Sequence, residues 1–331
     1  MNRLIGILVF IVSLLLAWGW MEYEDFLSSP LSLPEQGVDY VLVPGTSVRG
    51  LAEDLKHKGI LQKPVLFELM VRWSGQASRL RAGEYHLMQG TTPPRLLEIF
   101  TSSRVVQHAL TLIEGWTFKQ MMQAVKSNPI LQQTLSDGDL QSITQQLGLQ
   151  ESHPEGLFYP DTYHFPKGTT DKEFLSRAYQ RMQEVLQNAW AGREEGLPFE
   201  TPYEALILAS IVERETGLPE ERGKIAGVFV RRLKKGMLLQ TDPTVIYGMG
   251  EDYDGNIRKK DLRTDTPYNT YVRKGLPPTP IAMPSGAAIE AVMHPEKGNE
   301  LFFVATGNGG HVFSETLEAH NRAVRKYQLK R

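Results

Sequence analysis

From Leu4 to Met21 the chain carries no charged residue, and the stretch is dominated by Leu, Ile, Val and Phe. As a helix rising 1.5 Å per residue it reaches roughly 27 Å, enough to cross a hydrocarbon core. Arg3 and the α-amino group precede it, and Glu22, Glu24 and Asp25 follow. The positive-inside bias makes residues 1–3 a cytoplasmic tip, residues 4–21 a single-pass transmembrane signal anchor, and puts the remainder on the far side. The alternative is a cleaved signal peptide, for which Ala17-Trp18-Gly19 offers a small-x-small site. The length of the run, and its continuation through Trp20 and Met21, favour the uncleaved anchor. Two tryptophans at that end suit an interfacial belt.

The rest of the composition excludes more than it selects. A formal net charge of −2 lacks the basic footprint of a dedicated nucleic-acid binder. The local run Arg231-Arg232-Leu233-Lys234-Lys235 reads as a solvated helix end, with a basic patch as the alternative. There are no cysteines, which removes disulfides, thiolate zinc sites and cysteine nucleophiles together. The eight histidines show no His-Glu-x-x-His spacing, and no Gly-x-Ser-x-Gly elbow occurs, so neither a metal nor a cofactor is expected.

Residues 22–37 read as a linker, because Phe26 to Gly37 holds two prolines and three serines. A small α+β module follows at 38–104. It consists of a strand at 38–43, helices at 47–57 and 64–73, a strand at 82–87 and a helix from Thr92 to Phe100. The pattern restarts at Val105, with a strand to Leu112, and 105–331 is taken as one larger mixed α/β domain. Helices are expected at 117–125 and 172–189, and Gly156 to Phe165 reads as aromatic and turn-bearing. Thr201-Pro202-Tyr203-Glu204 is a capping box that launches another helix. A strand at 301–306, a turn at Asn308-Gly309-Gly310 and a helix at 315–327 close the chain. The fold class is α+β.

The helix launched at Thr201 ends in Ile211-Val212-Glu213-Arg214-Glu215-Thr216. Leu208, Ile211 and Val212 lie seven, four and three positions before Glu215 and share its face, so Glu215 sits on an apolar stripe. A carboxylate there is costly to ionise and tends to keep its proton, which suits a general acid. Glu213 has the more mixed neighbours Leu206, Ala209 and Ser210. About 100° of rotation per residue points the two glutamates some 200° apart, so they do not form a facing pair. The bland alternative for Glu215 is a helix-end residue paired with an arginine.

Loops crowded with amides, hydroxyls and rings follow: Leu239-Gln240-Thr241-Asp242-Pro243-Thr244-Val245-Ile246-Tyr247-Gly248, Tyr268-Asn269-Thr270-Tyr271 and Gly275-Leu276-Pro277-Pro278. Such loops suit a neutral, polyhydroxylated, amide-bearing ligand. Together with the glutamate motif, Glu114-Gly115 and Tyr159-Pro160-Asp161-Thr162-Tyr163, these segments resemble the endolytic murein transglycosylase family (MltG, or YceG-like). The likeness runs from about Asp39 to the C-terminus, and the N-terminal anchor also fits it. Residues 38–104 resemble the family's LysM-like module, departing from a minimal βααβ pattern by one extra helix.

The resemblance implies a lytic transglycosylase that cuts the β-1,4 bond between N-acetylmuramic acid and N-acetylglucosamine in peptidoglycan and leaves 1,6-anhydro ends. It makes Glu215, the second glutamate of its motif, the catalytic residue, with Glu213 supporting. Glu114, Gln240, Asp242, Tyr268 and Asn269 become candidates for holding the glycan, with loop bracing as the alternative for each. It further implies a bacterial inner (cytoplasmic) membrane protein with its catalytic domain in the periplasm, terminating nascent glycan strands, with a peptidoglycan synthase as an expected partner. A water-using muramidase and a non-catalytic glycan-binding scaffold are the rival readings.

Overall fold

A computed structural model describes residues 2–102, 106–136, 138 and 140–329, with the backbone alone for 2–4. The side chain of Arg3, the boundary drawn between 104 and 105, and the expected strand start at Val105 lie outside the described residues. The chain forms two compact units. One comprises Met1–His108 with Ile130–Gln132 and His164–Thr169, the other Ala109–Pro129, Gln133–Tyr163 and Thr170–Arg331.

In the first unit, α1 (Asn2–Ser28) is one continuous helix whose Ile5–Ser28 part is long and apolar enough to cross a membrane. Strand β1 (Val38–Leu42) pairs antiparallel with β2 (Gly83–Leu87), Val38 opposite Leu87 and Leu42 opposite Gly83. Helices α2 (Val48–His57) and α3 (Pro64–Trp73) lie between the strands in sequence, and α4 (Pro93–Thr101) follows. Ser47 caps α2 by accepting from the Gly50 amide, and α2 buries Leu51, Ala52 and Leu55 at the helical spacing. α3 starts on a proline, whose missing N–H costs nothing in a first turn. Tyr40 and Tyr85 face each other across the strands, and both pack on Phe100 of α4.

Residues 22–37 depart from a free linker. Residues 22–28 complete α1, and Phe26, Leu31 and Leu33 are buried in the core of this unit. The Leu31 amide donates to Thr91 O and the Ser32 amide to Ile60 O. The prolines and serines do exclude regular structure here. They say nothing about freedom, and the apolar residues between them decide that the segment packs.

The chain runs on through β3 (Gln107–Thr111), α5 (Phe118–Ser127), α6 (Leu140–Leu147), β4 (Thr162–Pro166) and α7 (Asp171–Ala191). Next come α8 (Pro202–Glu215), α9 (Pro219–Lys234), α10 (Asp242–Met249), α11 (Gly286–Met293), the antiparallel pair β5 (Phe302–Ala305) and β6 (His311–Ser314), and α12 (Leu317–Tyr327). The stretch 156–165 begins in a turn at Gly156, as read, and its end enters β4, which pairs with β3. In the second unit α8 is the central element. Ala205 to Val212 are all buried, with α7, α9, α10 and α11 packed around them. Thr201 caps α8 through the Glu204 amide, but the Glu204 carboxylate accepts from Glu200 N, so the reciprocal half of the expected box is displaced by one residue. The basic run 231–235 ends α9, and Arg232 within it is buried rather than solvated.

Leu31→Ala should lower the stability of the full chain by about 2–3 kcal/mol, as for other large-to-small core changes. Urea unfolding checks this, and an unchanged midpoint would mean that residues 29–37 are free.

Candidate active site

The last turn of α8 sends its two carboxylates to different elements. Glu213 accepts from both the backbone amide and the hydroxyl of Ser285, the N-cap residue of α11. Glu215 accepts from the hydroxyl of Thr241, the N-cap residue of α10. The separation follows from helix geometry, because two positions apart is more than half a turn.

Glu215 opens on a pocket of about 440 Å³ that it shares with Arg232, Gln240, Asp242, Tyr271, His311 and the rings of Phe302 and Phe303. Its side chain is half-buried: dense protein surrounds it, and one side faces the pocket. Burial pushes its carboxyl up to about 7. The Thr241 hydroxyl and His311 act against that shift, and the Asp242 charge adds to it. The result is an acid that holds its proton over part of the neutral range, as general acid catalysis requires.

The segment 238–244 is held from several sides. Arg232 donates through Nε to Leu301 O at 2.6 Å and through Nη1 to Leu238 O at 3.1 Å and Leu239 O at 2.8 Å. Gln240 takes a positive φ of 50°, unusual for a residue with a side chain. Its amide donates to Thr270 O, and the Thr241 amide donates to the Thr270 hydroxyl. Thr244 donates its hydroxyl to Thr241 O. These bonds aim the Thr241 hydroxyl at Glu215. Pro243 in the first turn then lets α10 begin immediately.

The structure brings three of the sequence candidates, Glu215, Gln240 and Asp242, into one pocket. Asp242 is exposed and accepts from the Tyr271 hydroxyl at 2.6 Å. Asn269 is buried, donates its amide to Asp261 O and Thr264 O, and accepts from the Tyr271 amide. All of its polar atoms thus brace the loop that presents Tyr271. Tyr268 does not line the pocket. Its hydroxyl bonds that of Thr279, and its ring meets Tyr247, which donates to Glu155. Glu155 is itself buried, accepts from the first amide of α5, and is likewise raised to about 7 by burial. Glu114 is exposed and also lies outside the pocket, beside Gly115, whose carbonyl accepts from Arg214.

Sequence reasoning missed the buried Thr241 that bonds Glu215, and Tyr271, Arg232 and His311 as pocket residues. Thr241-Asp242-Pro243 carries a readable helix-start signal. His311 carries none: its Nδ1 lies 2.7 Å from Glu221 Oε2, and its amide donates to Glu221 Oε1, across ninety positions of sequence.

The YceG-like family model matches residues 41–326. The endolytic murein transglycosylase of Bacillus subtilis (strain 168) is 32% identical, over 95% of this chain and 91% of the relative. That of Streptococcus pneumoniae (strain R6) is 28% identical over 98% of this chain, which spans 64% of the relative's length. A crystal structure of a YceG-like protein from Listeria monocytogenes superposes with a TM-score of 0.54 at 28% identity, covering 87% of this chain and 99% of that one.

The raised carboxyl of Glu215 has a consequence for stability. Its folded value lies above that of an unfolded glutamate, so its stabilising protonation is complete below about 4.5 and is lost as pH rises through about 7. Glu215→Gln should therefore gain on the wild type by about 2–3 kcal/mol between pH 5 and pH 8. Urea midpoints at both values test this, and a constant difference would refute the shift.

Proposed function

The chain belongs to the YceG-like family, and from that premise we propose that it is an endolytic murein transglycosylase that cuts the glycan strands of peptidoglycan. The observation that carries this reading is the recessed, partly protonated Glu215 in a pocket lined by amide, hydroxyl and aromatic groups.

Glu215 gives its proton to the glycosidic oxygen as the bond to C1 of the muramoyl residue breaks. The C6 hydroxyl of that residue then closes on C1, and its proton returns to the Glu215 carboxylate. One C–O bond is broken and one formed, the proton that the leaving oxygen gains is balanced by the one that the C6 hydroxyl returns, no water enters, and the enzyme ends in its starting protonation state. The products are a 1,6-anhydromuramoyl end and a free 4-hydroxyl. Gln240 and Asp242 border the reacting sugars, Tyr268 and Asn269 act through the loops that they brace, and Glu114 contacts the glycan from outside the pocket. Glu213 supports the site by fixing the start of α11.

Asp242 favours a second reading. Glycosidases that use water need a pair of carboxylates, and Asp242 shares the pocket of Glu215. In that reading it activates a water and the product has a reducing end. The hydrogen bond from Tyr271 instead suits a fixed charge that keeps Glu215 protonated.

The proposed organisation is a tip at 1–3, an anchor at 4–21, packed residues 22–37, a LysM-like module at 38–104 and a catalytic domain at 105–331. The βααβ order of 38–87 supports the LysM-like reading, and α4 is its departure. The charge step from Arg3 to Glu22, Glu24 and Asp25 supports a cytoplasmic N-terminus in a bacterial inner membrane, with the catalytic domain in the periplasm. An enzyme tethered there meets nascent strands, where its cut ends their growth, and a peptidoglycan synthase is the expected partner.

Digestion of purified glycan, with product masses read, tests the reaction. The wild type should give anhydro ends and Glu215→Gln none; reducing ends, or undiminished activity of the variant, would refute the assignment. The rate should fall as pH rises through about 7, because the acid form is consumed. Asp242→Asn removes a like charge, so its decline should begin at lower pH while activity stays within about tenfold at the optimum. A loss of about a thousandfold or more would instead favour the water-using pair.

A further inference from the structure

α3 is apolar on two sides. Phe67, Met70 and Val71 face the core of the first unit. Val65, Leu69 and Trp73, at i, i+4 and i+8, form a second apolar stripe facing outward. Val65 is 73% exposed and Trp73 68%, with Leu69 partly covered. A helix apolar around most of its circumference is normally buried on both sides.

The position of this stripe identifies what covers it. Lys63, just before α3, pairs with Glu22 and lies 3.7 Å from Asp25 of α1. Trp73, at the other end of α3, packs edge-on against Tyr23 with ring centres 5.7 Å apart. Both ends of α3 are thus tied to the same turn of α1, so α3 crosses that helix where its apolar run gives way to charge. Tyr23 continues to Trp20 at 6.5 Å, and Trp18 and Trp20 are themselves exposed. Ring contacts therefore link the exposed Trp20, through the half-buried Tyr23, to the exposed Trp73 on α3. Beside Trp73 a groove of about 470 Å³ opens between Tyr23, Leu27, Met70, Pro94 and Leu97.

We propose that the outward stripe of α3 and the adjoining groove lie in the interfacial layer of the membrane leaflet from which α1 emerges, with Trp73 as the principal contact. The proposal rests on the reading of α1 as a membrane anchor. Tryptophan favours that layer because its ring is apolar while its N–H still reaches water and headgroups. An anchor alone fixes one point. A second apolar contact at the same depth fixes the orientation of the small unit as well.

The native chain has no cysteine, so a single introduced one can be spin-labelled uniquely. Full-length Trp73→Cys, Val65→Cys, Val12→Cys and Lys56→Cys would be labelled and reconstituted into vesicles of phosphatidylethanolamine and phosphatidylglycerol. Collision with a water-soluble nickel chelate, against oxygen, reads depth. Labels at 73 and 65 should be several-fold less accessible to nickel than the label at 56, and shallower than the label at 12. If 73 and 65 are as open to nickel as 56 while 12 is protected, the proposal fails and the anchor stands. If 12 is equally open, the anchor reading fails and the proposal with it.

Discussion

The site depends on the burial of α8 up to its last turn. A helix with Ala205 to Val212 all enclosed must end among other protein groups. Any carboxylate in its final turn then has to be satisfied by the chain itself. Glu213 and Glu215 are satisfied in opposite directions, by the capping residues Ser285 and Thr241 of two later helices. Ser285 serves two ends at once, because its hydroxyl also accepts from the Ala288 amide at the start of α11, whereas Thr241 holds the N-cap position of α10 without a side-chain cap bond. α10 and α11 are thereby located relative to α8 by the groups that also set its charge. Glu213 receives two hydrogen bonds and Glu215 one. Burial dominates at Glu215, and the Asp242 charge adds to it.

Arg232 does for the loop what Ser285 does for α11. It is 6% exposed, and no described carboxylate pairs with it. Its donors go to backbone carbonyls of Leu238, Leu239 and Leu301, and its guanidinium lies over the Phe302 ring at 5.1 Å. A buried cation is costly unless its donors are used, so the bonds that satisfy it also immobilise 238–239. The left-handed backbone at Gln240 costs about 1–2 kcal/mol for a residue with a Cβ. Bonds to Thr270 and Arg232 on either side offset that strain. Backbone strain held by a surrounding network is typical where a chain must present one group at one point, and here that group is the Thr241 hydroxyl.

Much of the fold was legible. Local signals placed β1, α2, α3, β2 and α4 almost to the residue, because prolines, glycines and capping serines punctuate a regular apolar spacing there. The stripe of Leu208, Ile211 and Val212 likewise marks Glu215, which lines the pocket, apart from Glu213, which does not. What failed was each inference from polarity to exposure. Pro30 and Pro34 suggested a free linker, but Leu31 and Leu33 between them bury. The run of Arg and Lys at 231–235 suggested solvent, but Arg232 finds carbonyls in the loop that follows, at Leu238 and Leu239, and another sixty-nine residues later at Leu301. Asn269 looked like a ligand-binding amide, but its partners Asp261 and Thr264 lie on its own loop. His311 and Glu221 meet only because β6 returns to the start of α9. In each case the deciding partner is distant in sequence or set by loop geometry, where periodicity carries no information.

A pocket with a partly protonated glutamate beside an exposed aspartate resembles a two-carboxylate glycosidase, yet the two groups are not equivalent. Asp242 accepts from the Tyr271 hydroxyl and is open to water. Glu215 is half-buried among dense protein, and the neighbouring negative charge raises its cost of ionisation further. A nucleophile or base needs a free lone pair aimed at carbon or water, whereas a fixed charge needs only proximity. When the attacking hydroxyl belongs to the sugar itself, one residue can deliver the proton and then recover it, because both oxygens meet at C1. Asp242 then has a sufficient role in the proton affinity of its neighbour. The same arrangement explains why α8 can afford to turn its other carboxylate away, into the cap of α11.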